Sequence, residues 1–161
     1  MNIVFNDTSA YTSGLIENLL LQSYEHIPIT TLKDKQNFKH FDQDVSEHPH
    51  WIGTYVFITT VDHEPVGFVS FDPRQKPTAL IGHNCILPVY SGKGFGTEQM
   101  KHALSEIEKQ GFKKATVTTC DNDYFIPARR MYKSCGFKEI NKFYNGNNAV
   151  KMVGYELNFE K

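Results

Sequence analysis

Two kinds of hydrophobic periodicity alternate along the chain, and they predict two kinds of element. Segments rich in β-branched and aromatic residues predict strands, at 2–5, 54–61, 66–71, 78–87, 113–119, 137–145 and 149–159. Segments in which apolar residues recur every three or four positions predict helices, at 9–25, 31–45, 95–110 and 127–135. The resulting order, βααβββαβαββ, indicates one α/β domain over residues 1–161, built on a mixed sheet.

Turn and capping residues separate these segments. Asp7, Thr8 and Ser9 are the candidate N-caps of the first helix. The sequence DHEP predicts a hairpin turn after the second strand, DPRQKP (72–77) predicts the next turn, and GNN (146–148) predicts the last.

Composition and net charge then limit which classes of binding partner are expected. The 161 residues carry a formal net charge of −1 and are 40% hydrophobic, so a folded domain is expected rather than a disordered chain. Without an excess of positive charge, neither nucleic acid nor an anionic membrane is expected as the main partner. Three cysteines without a CxxC pair, and no apolar run that suits a signal peptide or a membrane span, fit a cytoplasmic protein.

The stretch YSGKGFGTEQM places Gly92, Gly94 and Gly96 directly at the start of the third predicted helix. A glycine-rich turn that opens a helix exposes backbone N–H groups at the positive end of the helix dipole, where phosphate binds. Lys93 adds a positive charge. GxxxxGK[ST] is absent and the spacing is not GxGxxG, which disfavours Walker-type and Rossmann sites. From the spacing alone, a phosphate site and a flexible connection without a ligand are equally supported.

The residues around this loop resemble the acyl-coenzyme A-binding segment of the GNAT (Gcn5-related) N-acetyltransferase superfamily. That family has an apolar strand end, often V-x-P, followed by R/Q-x-x-G-x-G/A at the start of a helix. Ile86 and Pro88 match the first part, and Ser91, Gly94 and Gly96 fall on the R/Q, G and G/A positions. The serine departs from the pattern, because it can donate a hydrogen bond but carries no charge.

A second segment, PARRMYKSCGFKEI, resembles the A-x-x-x-Y-x-x-x-G-F signature of the same superfamily. Ala128, Tyr132, Gly136 and Phe137 occupy its positions. The resemblance implies the GNAT fold, a mixed, splayed β-sheet of about six to seven strands flanked by about four helices.

The resemblance also implies acetyl-CoA as the co-substrate. Its pantetheine arm would pair with the backbone of the fourth strand, and its pyrophosphate would sit on the amides of the glycine loop. The cofactor-binding residues expected on this basis are Cys85, Ile86, Leu87, Ser91, Gly92, Lys93, Gly94, Phe95, Gly96, Thr97 and Asn122. For Asn122 an ordinary loop turn is the alternative.

The family reaction is direct attack of a primary amine on the thioester in a ternary complex. The amine must first lose a proton, since a free alkylamine has a pKa near ~10. His83 is the candidate base, although a structural histidine is equally supported and the glutamate that many relatives carry on this strand is absent. A backbone N–H near Leu87 would stabilise the developing oxyanion. Tyr132 is the candidate acid for the leaving thiol, with a core tyrosine as the alternative.

The acceptor amine, a small molecule or a peptide, is left open by the sequence. The family often lines its acceptor pocket from the end of the first helix, which implies Tyr24, Glu25 and His26, and Asn84 is a further candidate. The terminal hairpin is a candidate interface for a homodimer.

Two functions from different classes follow. The first is an acetyl-CoA-dependent N-acetyltransferase. The second is a non-catalytic acyl-CoA-binding module that senses or recruits, favoured by Ser91 and the missing strand glutamate. A phosphate-binding enzyme unrelated to acyl transfer is a third. No metal is expected, because Glu47, His48 and His50 have no further ligand beside them in a Cys/His framework.

Overall fold

The computed structural model describes residues 1–7, 11–49, 55–146 and 150–160, and these form seven strands and four α-helices. In chain order the elements are β1 (Ile3–Asn6), α1 (Leu15–Tyr24), α2 (Leu32–Glu47), β2 (Val56–Val61), β3 (Glu64–Gln75), β4 (Thr78–Ile86), α3 (Phe95–Lys109), β5 (Lys114–Cys120), α4 (Ile126–Ser134), β6 (Lys138–Asn145) and β7 (Val150–Asn158). The predicted order of strands and helices is confirmed. Within the described ranges no helix combines the length and the apolar character needed to span a bilayer.

The strands form one mixed sheet in the order β1-β2-β3-β4-β5-β7-β6. β4 and β5 are parallel, pairing through Thr78–Leu80 and Lys114–Thr116. The pairs β1–β2, β2–β3, β5–β7 and β6–β7 are antiparallel. The mixed sheet expected from the element order is therefore confirmed.

The chain groups into two compact units. The first unit comprises residues 1–70 and 83–99, and its core packs α1 and α2 on β2, β3 and β4 through Leu19, Phe38 and Phe68 among others. The second unit comprises residues 71–82 and the chain from residue 100 onward. There α3 buries the apolar stripe that its periodicity predicts, formed by Met100, Ala103, Leu104 and Ile107.

The turns on either side of β3 differ in how well the sequence predicts them. The β2–β3 turn is Asp62–His63, and both residues have a positive φ (49° and 71°), as a tight hairpin turn requires. The turn predicted at 72–77 is wrong for most of its length, because β3 continues to Gln75 and only Lys76–Pro77 separate it from β4. Its place in the sheet beside β4 overrides the turn preference of this stretch.

The N-terminus of α1 is capped from α2, which the local sequence does not reveal. The helix begins at Leu15 with Gly14 as its N-cap residue, well downstream of Asp7, so that predicted N-cap is wrong. The other two candidates, Thr8 and Ser9, lie outside the described residues.

Asp42 of α2 provides this cap through its carboxylate. Its two oxygens accept the N–H groups of Gly14 and Glu17, both at 2.9 Å, and the hydroxyl of Tyr11 at 2.6 Å. Burial, together with the hydrogen bond to this carboxylate and its charge, raises the pKa of Tyr11. A carboxylate beside the first turn also interacts favourably with the dipole of α1. Asp42, which is 4% exposed, therefore ties the two helices together.

We expect Asp42→Ala to lower the free energy of unfolding by about 2–4 kcal/mol, because it leaves the N–H groups of Gly14 and Glu17 without their buried acceptor and the Tyr11 hydroxyl with only the backbone carbonyl of residue 42. Urea unfolding followed by circular dichroism measures this change. Asp44→Ala is the matched control, since Asp44 is an exposed aspartate of the same helix. Equal losses in both variants would contradict the capping role.

Candidate functional site

The glycine loop leads from β4 into α3 through a short 3-10 turn, Pro88–Tyr90. Gly92 and Gly94 both have a positive φ (74° and 85°) and are exposed, a conformation that glycine adopts without strain. The first helical hydrogen bond of α3 runs from the N–H of Glu98 to the carbonyl of Gly94 at 3.0 Å. Gly94 is therefore the N-cap residue, and Phe95 and Gly96 begin the helix ahead of its first N–H to carbonyl bond.

Aromatic side chains fix the position of this loop. Phe95, the first residue of α3, is buried with Val61 and Val66, and its ring centroid lies 6.1 Å from that of Tyr90. The ammonium nitrogen of Lys93 lies 5.8 Å from the centroid of the Tyr90 ring. Packing of Phe95 and Tyr90 thus holds the glycine loop against the hydrophobic core.

The space over the loop is open. A Cβ atom added at Gly92 or Gly94 would meet no atom within 4 Å. A glycine-rich turn at a helix N-terminus, with a lysine in it and open space above Gly92 and Gly94, suits a phosphate group. The predicted loop residues Ser91 and Lys93 are exposed on this turn, and Gly96 and Thr97 follow in the first turn of α3.

A buried glutamine that the sequence analysis missed joins α3 to the strands beneath it. Gln99 is 2% exposed, and its Nε2 donates to the carbonyls of Phe68 (2.8 Å) and Cys85 (3.3 Å). Its Oε1 accepts the hydroxyl of Thr59 at 2.6 Å. The signal lay in the helical repeat, because Gln99 occupies the same face as the buried Phe95, four residues earlier.

The resemblance assigns cofactor contacts to Cys85, Ile86 and Leu87 at the end of β4, but in the structure the backbone groups of these residues have different partners. Leu87 donates its N–H to the carbonyl of Val66 at 2.8 Å, so this amide is engaged by β3. The carbonyl of Ile86 accepts the hydroxyl of Ser23 at 3.3 Å. Because neighbouring residues of a strand direct their N–H groups to opposite edges, the N–H of Ile86 points away from β3. Of these two amides, that of Ile86 is the one directed away from β3.

Cys85 lies within the core beneath this position. Burial raises the pKa of its thiol to about 12, so the sulfur stays protonated at neutral pH. The side chain is structural, and the backbone carbonyl of Cys85 already accepts Nε2 of Gln99.

His83 lies against two aromatic rings of α2. Its ring centroid is 6.0 Å from that of Phe38 and 5.0 Å from that of Phe41. Burial lowers the pKa of His83 below its ordinary value of 6.5, because the charged imidazolium is poorly solvated there. The imidazole is therefore neutral at neutral pH, which is the form that can accept a proton.

An open cavity of about 510 Å³ lies between the end of α1 and the start of α2. Its lining comprises Leu21, Gln22, Tyr24, Glu25, Ile27, Pro28, Thr30, Lys35 and Phe38. Two of the predicted acceptor residues, Tyr24 and Glu25, are part of it. His26 is exposed between lining residues, and Asn84 is half-buried on β4.

The remaining predicted residues, Tyr132 and Asn122, belong to the second unit. Tyr132 is buried on α4, with ring centroids 5.9 Å from those of Phe137 and Tyr155. The side-chain oxygen of Asn122 accepts the N–H of Tyr124 at 3.0 Å and so caps a short 3-10 turn, which agrees with the turn alternative.

No metal centre is found among the residues that the structure describes. They include no group of three or more His, Cys, Asp or Glu side chains able to hold an ion. Of the histidines singled out in the sequence, His48 is the C-cap residue of α2, and His50 lies outside the described residues.

Comparison with known proteins gives one family and a set of similar folds. Residues 16–137 match the Acetyltransferase (GNAT) family. A 51-residue stretch is 33% identical to the Uncharacterized N-acetyltransferase YsnE of Bacillus subtilis (strain 168). That stretch covers 32% of this chain and 34% of the relative, so the match spans about a third of the relative's length.

Solved structures resemble the whole chain. A GNAT-family protein from Desulfovibrio desulfuricans superposes with a TM-score of 0.80 at 16% identity, covering 98% of this chain and 99% of that one. Salmonella typhimurium yncA, solved with its cofactor acetyl-CoA, gives a TM-score of 0.77 at 12% identity, covering 99% and 95%. At these identities the similarity concerns the fold.

Proposed function

This chain belongs to the GNAT family of acetyltransferases, and from that membership we propose that it transfers an acetyl group from acetyl-CoA to a primary amine by direct attack. The observation that carries the proposal is the loop between β4 and α3. Gly92 and Gly94 hold a positive φ under open space, and first-turn amides of α3 follow directly. These features fit the pyrophosphate of acetyl-CoA.

The residues that would hold the co-substrate follow from this fit. Lys93 and the amides from Gly94 to Thr97 would bind the pyrophosphate, and the edge of β4 at Ile86 would bind the pantetheine arm. The uncharged Ser91 leaves the backbone and Lys93 as the main anion contacts. When bound, acetyl-CoA supplies a thioester carbonyl that an amine can attack.

Three residues would then move protons or stabilise charge. Neutral His83 would accept the proton of the incoming amine, and the N–H of Ile86 would donate to the developing oxyanion. As the amine nitrogen forms the amide bond and the C–S bond breaks, Tyr132 would donate a proton to the leaving sulfur. Tyr24 and Glu25 place the acceptor in the cavity beside α1.

Gly94→Ala tests the proposed use of the loop. We expect it to weaken acetyl-CoA binding by about 10-fold, because a side chain at positive φ strains the turn and its Cβ enters the path of the phosphate. Isothermal titration calorimetry measures this change. Gly146→Ala is the matched control, since Gly146 also has a positive φ (60°) with no atom near a new Cβ, but lies in the β6–β7 turn.

Release of free CoA from acetyl-CoA in the presence of a panel of amines tests transfer itself. Turnover that needs both the amine and an intact Gly94 would support the enzyme. Tight acetyl-CoA binding without thiol release on any amine would instead indicate the sensor or recruitment module. Equal binding by the Gly94 and Gly146 variants would contradict the proposed pyrophosphate site.

A further inference from the structure

The inner wall of the cavity beside α1 is aromatic and joins the candidate base. The ring centroids of Tyr24 and Phe38 lie 5.3 Å apart, and those of Phe38 and His83 lie 6.0 Å apart. Phe38 therefore both lines the cavity and packs against His83. Ser23, next to Tyr24, bonds the carbonyl of Ile86. A ligand that packs on Tyr24 and Phe38 would therefore contact the same side chains that pack near His83 and Ile86, the residues proposed to act on the amine and its oxyanion.

The rim of the cavity mixes apolar and polar side chains. Leu21, which is 36% exposed, and Pro28 are the exposed apolar members of the lining, and Ile27, which is 7% exposed, lies behind them. Gln22 and Thr30 belong to the same lining. An apolar ligand body can therefore contact Leu21 and Pro28, with polar groups beside them.

The polar lining carries one charge of each sign. Glu25 and Lys35 both line the cavity and are exposed. Among the described ion pairs within 4.0 Å, neither residue takes part. A carboxylate at the cavity attracts the ammonium form of an amine, whereas a nearby lysine repels a second cationic group. The charges therefore favour a ligand with one amine over a polyamine.

From this wall, rim and charge pattern we propose that the cavity binds a primary monoamine with an apolar, ring-sized body as the acetyl acceptor. This inference rests on the proposed transferase function and specifies its acceptor. A volume of about 510 Å³ suits a small ligand, since small-molecule sites typically enclose about 300–1,000 Å³. The apolar body lies against Tyr24 and Phe38, and Glu25 attracts the ammonium group before it loses its proton.

Steady-state kinetics with three amines test the proposal. The probes are phenethylamine, which has a ring and one amine; n-propylamine, which lacks the ring; and 1,4-diaminobutane, which has a second amine. We expect kcat/KM for phenethylamine to exceed that of each other amine by about 10-fold or more, since apolar contact of the ring with Tyr24 and Phe38 contributes discrimination of this order. Equal values for all three, or a preference for the diamine, would overturn the proposed acceptor class.

Two matched pairs of variants separate the apolar and charge contributions. Leu21→Gln is expected to raise KM for phenethylamine by about 3- to 10-fold, whereas Leu32→Gln, at an exposed leucine outside the lining, leaves it unchanged. Lys35→Gln is expected to lower KM for the diamine several-fold, whereas Lys39→Gln, one turn further along α2, does not. Identical effects within either pair would contradict the role assigned to the cavity.

Acetyl-CoA affinity, measured on the same variants, distinguishes failure of this inference from failure of the transferase function. The four substitutions are expected to leave that affinity unchanged. If n-propylamine or the diamine gives thiol release and phenethylamine is not preferred, the proposed acceptor class is wrong but the transferase function is supported. Acetyl-CoA binding with thiol release only on peptide amines would likewise remove the acceptor class alone, whereas no thiol release on any amine of the wider panel would overturn both.

Discussion

Replacing Gly67 with alanine is expected to lower the free energy of unfolding by about 3–5 kcal/mol and to abolish acetyl-CoA binding. An alanine Cβ would fall inside van der Waals contact with the carbonyl oxygen of Cys85, 3.1 Å from its carbonyl carbon and 2.7 Å from Cδ1 of Ile86. The first two atoms are backbone and cannot rotate away. The same carbonyl accepts Nε2 of Gln99, so displacing it disturbs a second buried contact.

Urea unfolding and titration with acetyl-CoA measure the two effects. Gly96→Ala is the matched control for stability, because its Cβ would lie 3.6 Å from Cγ1 of Ile86, an ordinary contact, inside the first turn of α3. A Gly67 variant as stable as the parent protein would mean that β3 and β4 can separate here without loss.

The position of Gly67 explains why glycine occurs in the interior of β3. The β2–β3 register sets Thr59 opposite Gly67 and Thr60 opposite Pro65, so Val66 is an extra residue on β3. Its carbonyl accepts the N–H of Leu87 at 2.8 Å. An extra residue in a strand re-aims its neighbours and often lies beside a functional site. Glycine in a strand interior signals such a bulge or a close backbone approach, and this signal was present in the sequence.

The elements could be predicted because their signals are local. The stripe from Met100 to Ile107 specifies the buried face of α3, and the glycines before it specify its start. The fold class follows from the order of such elements. Gly92 and Gly94 hold a positive φ, which glycine adopts without strain, whereas Gly96 already lies in the helix.

The remaining features could not be predicted because they depend on contacts between distant residues. Asp42 caps α1 from α2, and Gln99 bonds carbonyls on two strands. Leu32 belongs to the apolar repeat of α2 but is 73% exposed, because the repeat does not reveal that the first turn of this helix lies away from the core. The predicted N–H near Leu87 is similarly engaged by the bulge on β3.

Tyr132→Phe is expected to lower kcat about 100-fold while KM for acetyl-CoA stays within about twofold, if its hydroxyl donates the proton to the leaving sulfur. Removing one oxygen keeps the ring that packs on Phe137 and Tyr155, so the core of the second unit is retained. An interaction made only while the C–S bond breaks affects kcat and not binding, whereas a purely structural hydroxyl would change stability and leave kcat near the parent value.

Tyr155→Phe is the matched control for this prediction. Tyr155 is buried in the same aromatic cluster, 5.9 Å from Tyr132 between ring centroids, and no role in the reaction is assigned to it. Its loss of a hydroxyl is expected to change the melting temperature without lowering kcat. Both substitutions delete one buried phenol oxygen and so perturb the packing in a similar way. A lower kcat for Tyr132→Phe than for Tyr155→Phe would therefore report the loss of the proton donor and not a change in packing. A kcat within about threefold of the parent for Tyr132→Phe would assign the tyrosine to the core and leave the leaving sulfur to be protonated by water.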